Sequence, residues 1–364
     1  MRRRLVLYIG IFAVMALSNA IVPVLPRFDT DVAFQGAIYS AYFFGALVSV
    51  FPAGVLSDRI GRFPAIRIGL ALTVLAGAVI FFYPSPLLVL LGRVMEGVGA
   101  GFFVAAGMSW VNVRTDHVKL SGDFMAALNL GLLAGLLGTG WLVSLTTLPA
   151  GGIAAFALVA VIPLFAAMMV SDEPGLASAR VPTFGTTKGL FWLYVSAAIL
   201  VGATGAVTLL YPSFTGTDPP LLAVEIGLMH IGTIIAVLAA PRLGMAPIPA
   251  LRFGAVAMAI AVIACYFSPI GFPFVGGVAG LVMIAQMSYL AGEGMRQGAV
   301  MGLYNASSYF GMTILPFAAG VIADRISYAG AFASVALFSG FMAVSIGWCY
   351  CQQSGGPVLE PDHR

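Results

Sequence analysis

Two ionisable residues stand three apart in an otherwise apolar run, Gly92-Arg93-Val-Met-Glu96-Gly97-Val-Gly99-Ala-Gly101. On a helix this spacing puts both side chains on one face, where guanidinium and carboxylate can pair. Counted from the outer end of the run at about 1.5 Å per residue, Arg93 lies roughly 10 Å deep and Glu96 roughly 15 Å. Against lipid each would cost on the order of 3 kcal/mol, so both are expected to face a bundle interior or a watery cavity. Glu96 is then a carboxyl whose proton affinity answers to solvation and to Arg93. Without chemistry, the same pair is a static ion pair that fixes the rotation of its helix.

Other polar or aromatic side chains stand at a depth where a solute could meet them: Asn19, Gln35, Tyr39, Asn129, Tyr194, Glu225, His230, Gln286, Asn305 and Tyr309. Asn129 and Asn305 occupy matching positions in two similar spans, Met125-x-x-x-Asn129 and Met301-x-x-x-Asn305. An asparagine in such a span serves a neighbouring helix equally well. Glu225 starts near an interface, and His230, deeper, is either a group that titrates near neutrality or a packing residue. The three histidines, His117, His230 and His363, form no H-E-x-x-H set, so no metal or cofactor is expected. No G-x-x-x-x-G-K-[ST] phosphate loop is present, which argues against ATP drive, and no filter loop or charged ring suggests a channel. Cys265, Cys349 and Cys351 all lie in apolar runs and suggest no disulfide framework.

The elements that must hold these residues follow from composition. Of 364 residues, 60% are hydrophobic and 9% charged, and the mean hydropathy is +1.03. Soluble domains carry about 25% charged residues, so most of this surface must face lipid. There every backbone polar group needs an internal partner, which leaves helices or closed barrels. The apolar runs are continuous and about twenty residues long, which suits helices that span the membrane. Twelve spans are expected, near 5–25, 33–53, 64–83, 86–110, 121–145, 151–170, 189–212, 221–240, 249–267, 270–290, 297–322 and 329–350. The opening Met1-Arg2-Arg3-Arg4 resembles a signal-peptide start, but the run that follows is read as a retained first span. A break at 171–188 divides the chain into bundles at 1–170 and 189–352, followed by a tail at 353–364.

With the N-terminus inside, the inner segments carry Arg2, Arg3, Arg4, Arg59, Arg62, Arg67, Arg114, Lys119, Arg180, Lys188, Arg242, Arg252, Arg296 and Arg364, and the outer ones only Arg27 and Arg325. Cations collect in cytoplasmic loops, so both termini are expected to be cytoplasmic in a cell (inner) membrane. The halves also echo one another. Arg59-Ile-Gly61-Arg-Phe-Pro64 and Arg242-Leu-Gly244-Met-Ala-Pro247 both fit R-x-G-x-x-P. Asn129 with Gly135 is matched by Asn305 with Gly311. A duplicated six-span unit with its solute site near the midplane is a transporter organisation.

The segment Gly54-Val-Leu-Ser-Asp58-Arg59-Ile-Gly61-Arg62 resembles the loop signature G-x-x-x-D-R-x-G-R of the major facilitator superfamily, and the resemblance extends over the whole chain. Physically, Gly54 would permit close helix approach, Asp58 would accept hydrogen bonds or meet a helix N-terminus, and Arg59 and Arg62 would hold the loop at an anionic surface. The resemblance implies that this cluster latches the two halves in the outward-facing state, Asp58 against span eleven, with Arg114 and Asp123 as partners in the charge network. The alternative is that these charges only set topology. The second copy has Pro241 and Met245 where Asp58 and Arg62 stand, so a latch would be asymmetric. The family also places an arginine in span four, implying that Arg93 and Glu96 couple transport to protons. Gly122, Gly131, Gly135 and Gly140 resemble the glycines of its drug:proton antiporter branch, but Leu136 stands where the proline belongs. Span eleven repeats this incompletely in Gly302, Gly311, Pro316 and Gly320. Gly320-x-x-x-Asp324-Arg325 imitates the loop signature on the outer side and is read as a helix end.

The reading is an all-α membrane protein of twelve transmembrane helices in two six-helix repeats. It is expected to be a monomeric secondary transporter, with a small organic solute, protons and the bilayer as partners and no nucleic acid. Proton-driven efflux leads; uptake of a sugar or organic anion is the alternative. A membrane enzyme is remote.

Overall fold

A computed structural model describes residues 2–112, 114, 117–145, 148, 150–171, 190–292 and 297–346. Its long helices are α1 (Arg2–Ala20), α2 (Val32–Ile60), α3 (Arg62–Phe82), α4 (Pro86–Asn112), α5 (His117–Leu145) and α6 (Gly151–Met168). The second set is α7 (Phe191–Thr215), α8 (Pro219–Ala239), α9 (Pro247–Phe267), α10 (Gly271–Gly292), α11 (Gln297–Arg325) and α12 (Tyr328–Ser345). All twelve contribute a stretch long and apolar enough to cross a membrane. The break at 171–188 and the tail at 353–364 fall almost wholly outside the described residues.

Boundaries differ from the sequence expectation where local chemistry intervenes. The first apolar run leaves the α-helix after Ala20 and tightens into a 3-10 turn, Val22–Arg27, which contains Pro23 and Pro26. Proline offers no amide to an α-helical ladder. Helix α2 begins where the Asp31 carboxylate accepts from the amides of Ala33 (2.8 Å) and Phe34 (3.3 Å), as an N-cap does. It continues past the expected end at 53 to Ile60, so Gly54 to Arg59 form its last turns rather than a loop. The whole connection to α3 is Gly61, at φ 96°, a left-handed angle that glycine adopts without strain.

Packing follows the sequence repeat. Gly131 and Gly135 of α5 lie against the backbone of Phe12 and Ala16 in α1; Gly311 of α11 lies against Ala198 in α7. Gly45 and Gly97 bring α2 and α4 together at Val94 and Tyr42; Gly232 and Gly276 do the same for α8 and α10 at Pro273 and Met229. With no water between helices to drive association, backbone approach at small residues is what holds them.

The two sets meet through α2 with α11 and α5 with α8. Gly36 lies against Pro316 and Phe317, Gly320 against Val32 and Gly36, and Gly140 against Pro219 and Ala223. All three contacts lie toward the ends remote from the chain's N-terminus, here the far face. At the near end of α2, Gly54 has nothing within 4 Å. The close approach expected at Gly54 is therefore absent among the described residues, whose contacts between the sets lie at the far face.

Replacing Gly97 with Val should lower stability by about 2 kcal/mol through overpacking against Tyr42. Replacing Gly54 with Val should leave it unchanged. Thermal unfolding of both variants in detergent checks the contrast.

Candidate functional site

Helix α4 carries Arg93 and Glu96 inward, each 1% exposed, with Arg93 Nη1 2.7 Å from Glu96 Oε2. The Arg93 guanidinium also lies 4.8 Å from the centroid of the Tyr42 ring on α2, a cation–π contact strengthened by exclusion of water. One side of the pair stays open: Glu96 Oε1 and Arg93 Nε are buried without hydrogen-bond partners among the described residues. Tyr309 of α11 and Glu96 lie near Tyr42, and Arg93 and the Thr208 hydroxyl of α7 lie near Tyr39. The ion pair thus sits where both repeats converge, ringed by phenols and a hydroxyl. The site holds one positive and one negative charge, and the free carboxylate oxygen is a place where a proton could bind.

The other candidates separate into several groups. Asn19 of α1 and His230 of α8 meet across the repeats, Asn19 Nδ2 lying 3.2 Å from His230 Nε2 while also donating to the Leu132 carbonyl at 3.1 Å. Gln35 of α2 donates to the Asp29 carbonyl at 2.8 Å and accepts from Ser213 of α7 at 2.6 Å, a second polar bridge between the repeats. The matched asparagines have different surroundings. Asn129 donates back to Met125 of its own helix at 2.9 Å, and Asn305 is exposed. Short polar side chains in helices readily bond their own preceding turn. Gln286 is fully buried and donates to Ser196 at 3.0 Å within the second repeat. The Tyr194 hydroxyl and Glu225 Oε2 are buried and unpartnered, with Tyr211 beside Glu225.

The loop signature is only partly visible. The Asp58 side chain lies outside the described residues. Arg59 is exposed, whereas Arg62 is 8% exposed and donates from Nε to Ser109 of α4 at 3.1 Å. Arg62 therefore ties α3 to α4 and does not anchor at a lipid surface, because Gly61 turns the chain so sharply that position 62 is already inside. The Arg114 guanidinium lies 4.3 Å from the Trp110 ring centroid, and Asp123 accepts from Tyr8 of α1 at 3.3 Å. Asp324 and Arg325 pair at 3.5 Å at the exposed far end of α11.

Tyr42, Thr208, Ser109 and Ser213 were not singled out in the sequence. Tyr42 had a readable signal, since it lies three residues after Tyr39 and shares its helical face. The hydroxyls had none, because serine and threonine in apolar helices commonly satisfy their own backbone.

Twelve long helices among the described residues, in two like-packed sets that meet beside a buried ion pair, have the organisation of a membrane transporter. The family model described as Major Facilitator Superfamily matches residues 7–293, and the chain belongs to that family. A search of curated proteins found no match. Among solved structures, the fold is similar to a mutant of the nucleoside transporter NupG at 14% identity and TM-score 0.76, covering 95% of this chain and 99% of that one. It is equally similar to a D-xylose-proton symporter, at 12% identity and TM-score 0.76, with 96% and 97% covered. The inward open conformation of the xylose transporter XylE from E. coli matches at 12% identity and TM-score 0.76, covering 97% of each chain.

Replacing Arg93 with Ala should destabilise the protein by about 3 kcal/mol, since it leaves a buried carboxylate without its partner. Removing Glu96 as well should restore part of that loss. A double-mutant cycle on thermal unfolding measures the coupling.

Proposed function

We propose that this chain is a proton-coupled secondary transporter of a small, uncharged organic solute, with Glu96 as the proton carrier. The observation that carries the reading is the buried Arg93–Glu96 pair, whose Oε1 has no partner and which lies where the two repeats meet. Protonating Glu96 neutralises the carboxylate and leaves Arg93 uncompensated, so the favoured arrangement of charge and helices changes with the proton. An internally compensated ion pair leaves little net field to hold an ion. Tyr39, Tyr42, Tyr309 and Thr208 around it suit a solute with hydroxyls or a flat ring.

The near face is taken as cytoplasmic, since the basic residues cluster there. The conformation is then inward-facing, and the signature cluster around Asp58 would engage α11 only when the near face closes. The open space beside Gly54 supports this. Proton-driven efflux is the leading direction. Uptake by symport is the second reading, favoured by the proton-symporter named among the similar folds. The α5 glycines that suggested efflux are engaged in packing: Gly131 and Gly135 on α1, Gly140 on α8.

Purified protein in liposomes under an imposed pH gradient, screened with pentoses, nucleosides, cationic dyes and organic acids, tests substrate and direction together. Antiport moves solute against the proton flow and symport with it. Flux indifferent to the gradient would remove proton coupling. Replacing Glu96 with Gln should abolish gradient-driven accumulation while equilibrative exchange persists. Replacing Asp58 with Asn should cut transport roughly tenfold, the cost of one lost charge-assisted bond of about 1.5 kcal/mol, with insertion into the membrane unchanged.

A further inference from the structure

His230 and Asn19 join the two repeats through a contact that only one protonation state of the imidazole permits. Asn19 Nδ2 faces the Leu132 carbonyl at 3.1 Å, so that end of the amide must be the NH2, because its oxygen there would oppose another acceptor. The same nitrogen faces His230 Nε2 at 3.2 Å. Its two hydrogens are thus divided between Leu132 and His230, and Nε2 must present a lone pair. The ring is the neutral tautomer protonated at Nδ1. A proton added from water at Nε2 forms the imidazolium and turns the contact into N–H against N–H. Flipping Asn19 would relieve that clash only by setting its oxygen against the Leu132 carbonyl. The contact joins α1 and α5 of the first repeat to α8 of the second midway along α5 and α8, beneath the small-residue contacts that close the far face.

On the elements packed around His230, the described ionisable groups are Tyr8 with Arg2 to Arg4 on α1, Asp123 on α5, Tyr289 on α10, Arg27 and Arg242 on the flanking 3-10 turns, and Glu225 on α8 itself. The one hydrogen bond of the His230 ring among the described residues is to Asn19.

We infer that His230 is a second proton-carrying residue of the transport cycle, locking the far face through Asn19 when neutral and releasing it when protonated. This is independent of the role given to Glu96. Spin labels on cysteines replacing Thr30 and Ile326, at the far ends of α2 and α11, report the closure in full-length protein in lipid nanodiscs. Acidification from about pH 8 to about pH 4, a window that extends below the range in which free imidazole titrates, should shift the label pair to its longer-distance population. His230→Gln keeps an acceptor for Asn19 without a titratable ring, and should hold the short population throughout. Asn19→Ala should raise the long population already at neutral pH. The Glu96→Gln background should keep the wild-type shift. A shift unchanged in His230→Gln, or lost in Glu96→Gln while His230→Gln retains it, would overturn the inference.

Discussion

A guanidinium and a carboxylate held 2.7 Å apart, away from lipid and 1% exposed, set the terms for the centre of this protein. Neither group tolerates hydrocarbon, so α4 has one permissible rotation, with its charged face toward α2 and the second repeat. That rotation fixes which residues of α2 the pair meets, Tyr42 under the guanidinium and Tyr39 beside it. It also determines that Gly97 rather than a larger residue faces the α2 backbone. The incomplete satisfaction of the pair is as informative as the bond itself. A buried carboxylate oxygen without a partner is costly, and such a cost is tolerated where a group must change its protonation or its neighbours.

Around this centre the packing is carried by backbone contact rather than by large apolar side chains. Lipid tails are as apolar as leucine, so interior leucines give no advantage over those on the surface, and close approach at glycine does. The consequence is a pair of like-built bundles with few obligatory contacts between them. The closest gather toward one face, α2 with α11, α5 with α8 and the bridge Gln35–Ser213, with Asn19–His230 deeper between the repeats. Contacts made by small residues and single hydrogen bonds are individually weak. Under the proposed transport cycle, a modest difference in interaction energy would be enough to exchange one closed face for the other.

Where local pattern and structure part, one cause is shared. Arg62 reads as a loop cation and Gly54 as a packing glycine. The first is buried against Ser109 and the second faces open space, because the turn at Gly61 and the separation of the bundles are invisible to local pattern. Asn129 and Asn305 match in the repeat but differ in their surroundings. Asn129 satisfies itself within its helix, and Asn305 is exposed on α11.

From the sequence alone one could read the twelve apolar helices, their duplication, the bias of positive charge and the inward direction of Arg93 and Glu96. Each follows from the cost of placing polar groups in hydrocarbon, a rule that acts on composition and spacing. Tertiary structure alone decided that Asn19 meets His230, that Gln35 meets Ser213, and that Tyr42 covers Arg93. These partners lie on different helices, and in one case 211 residues apart. Their pairing depends on how two rigid bundles lean together, and no periodicity within one helix encodes that angle.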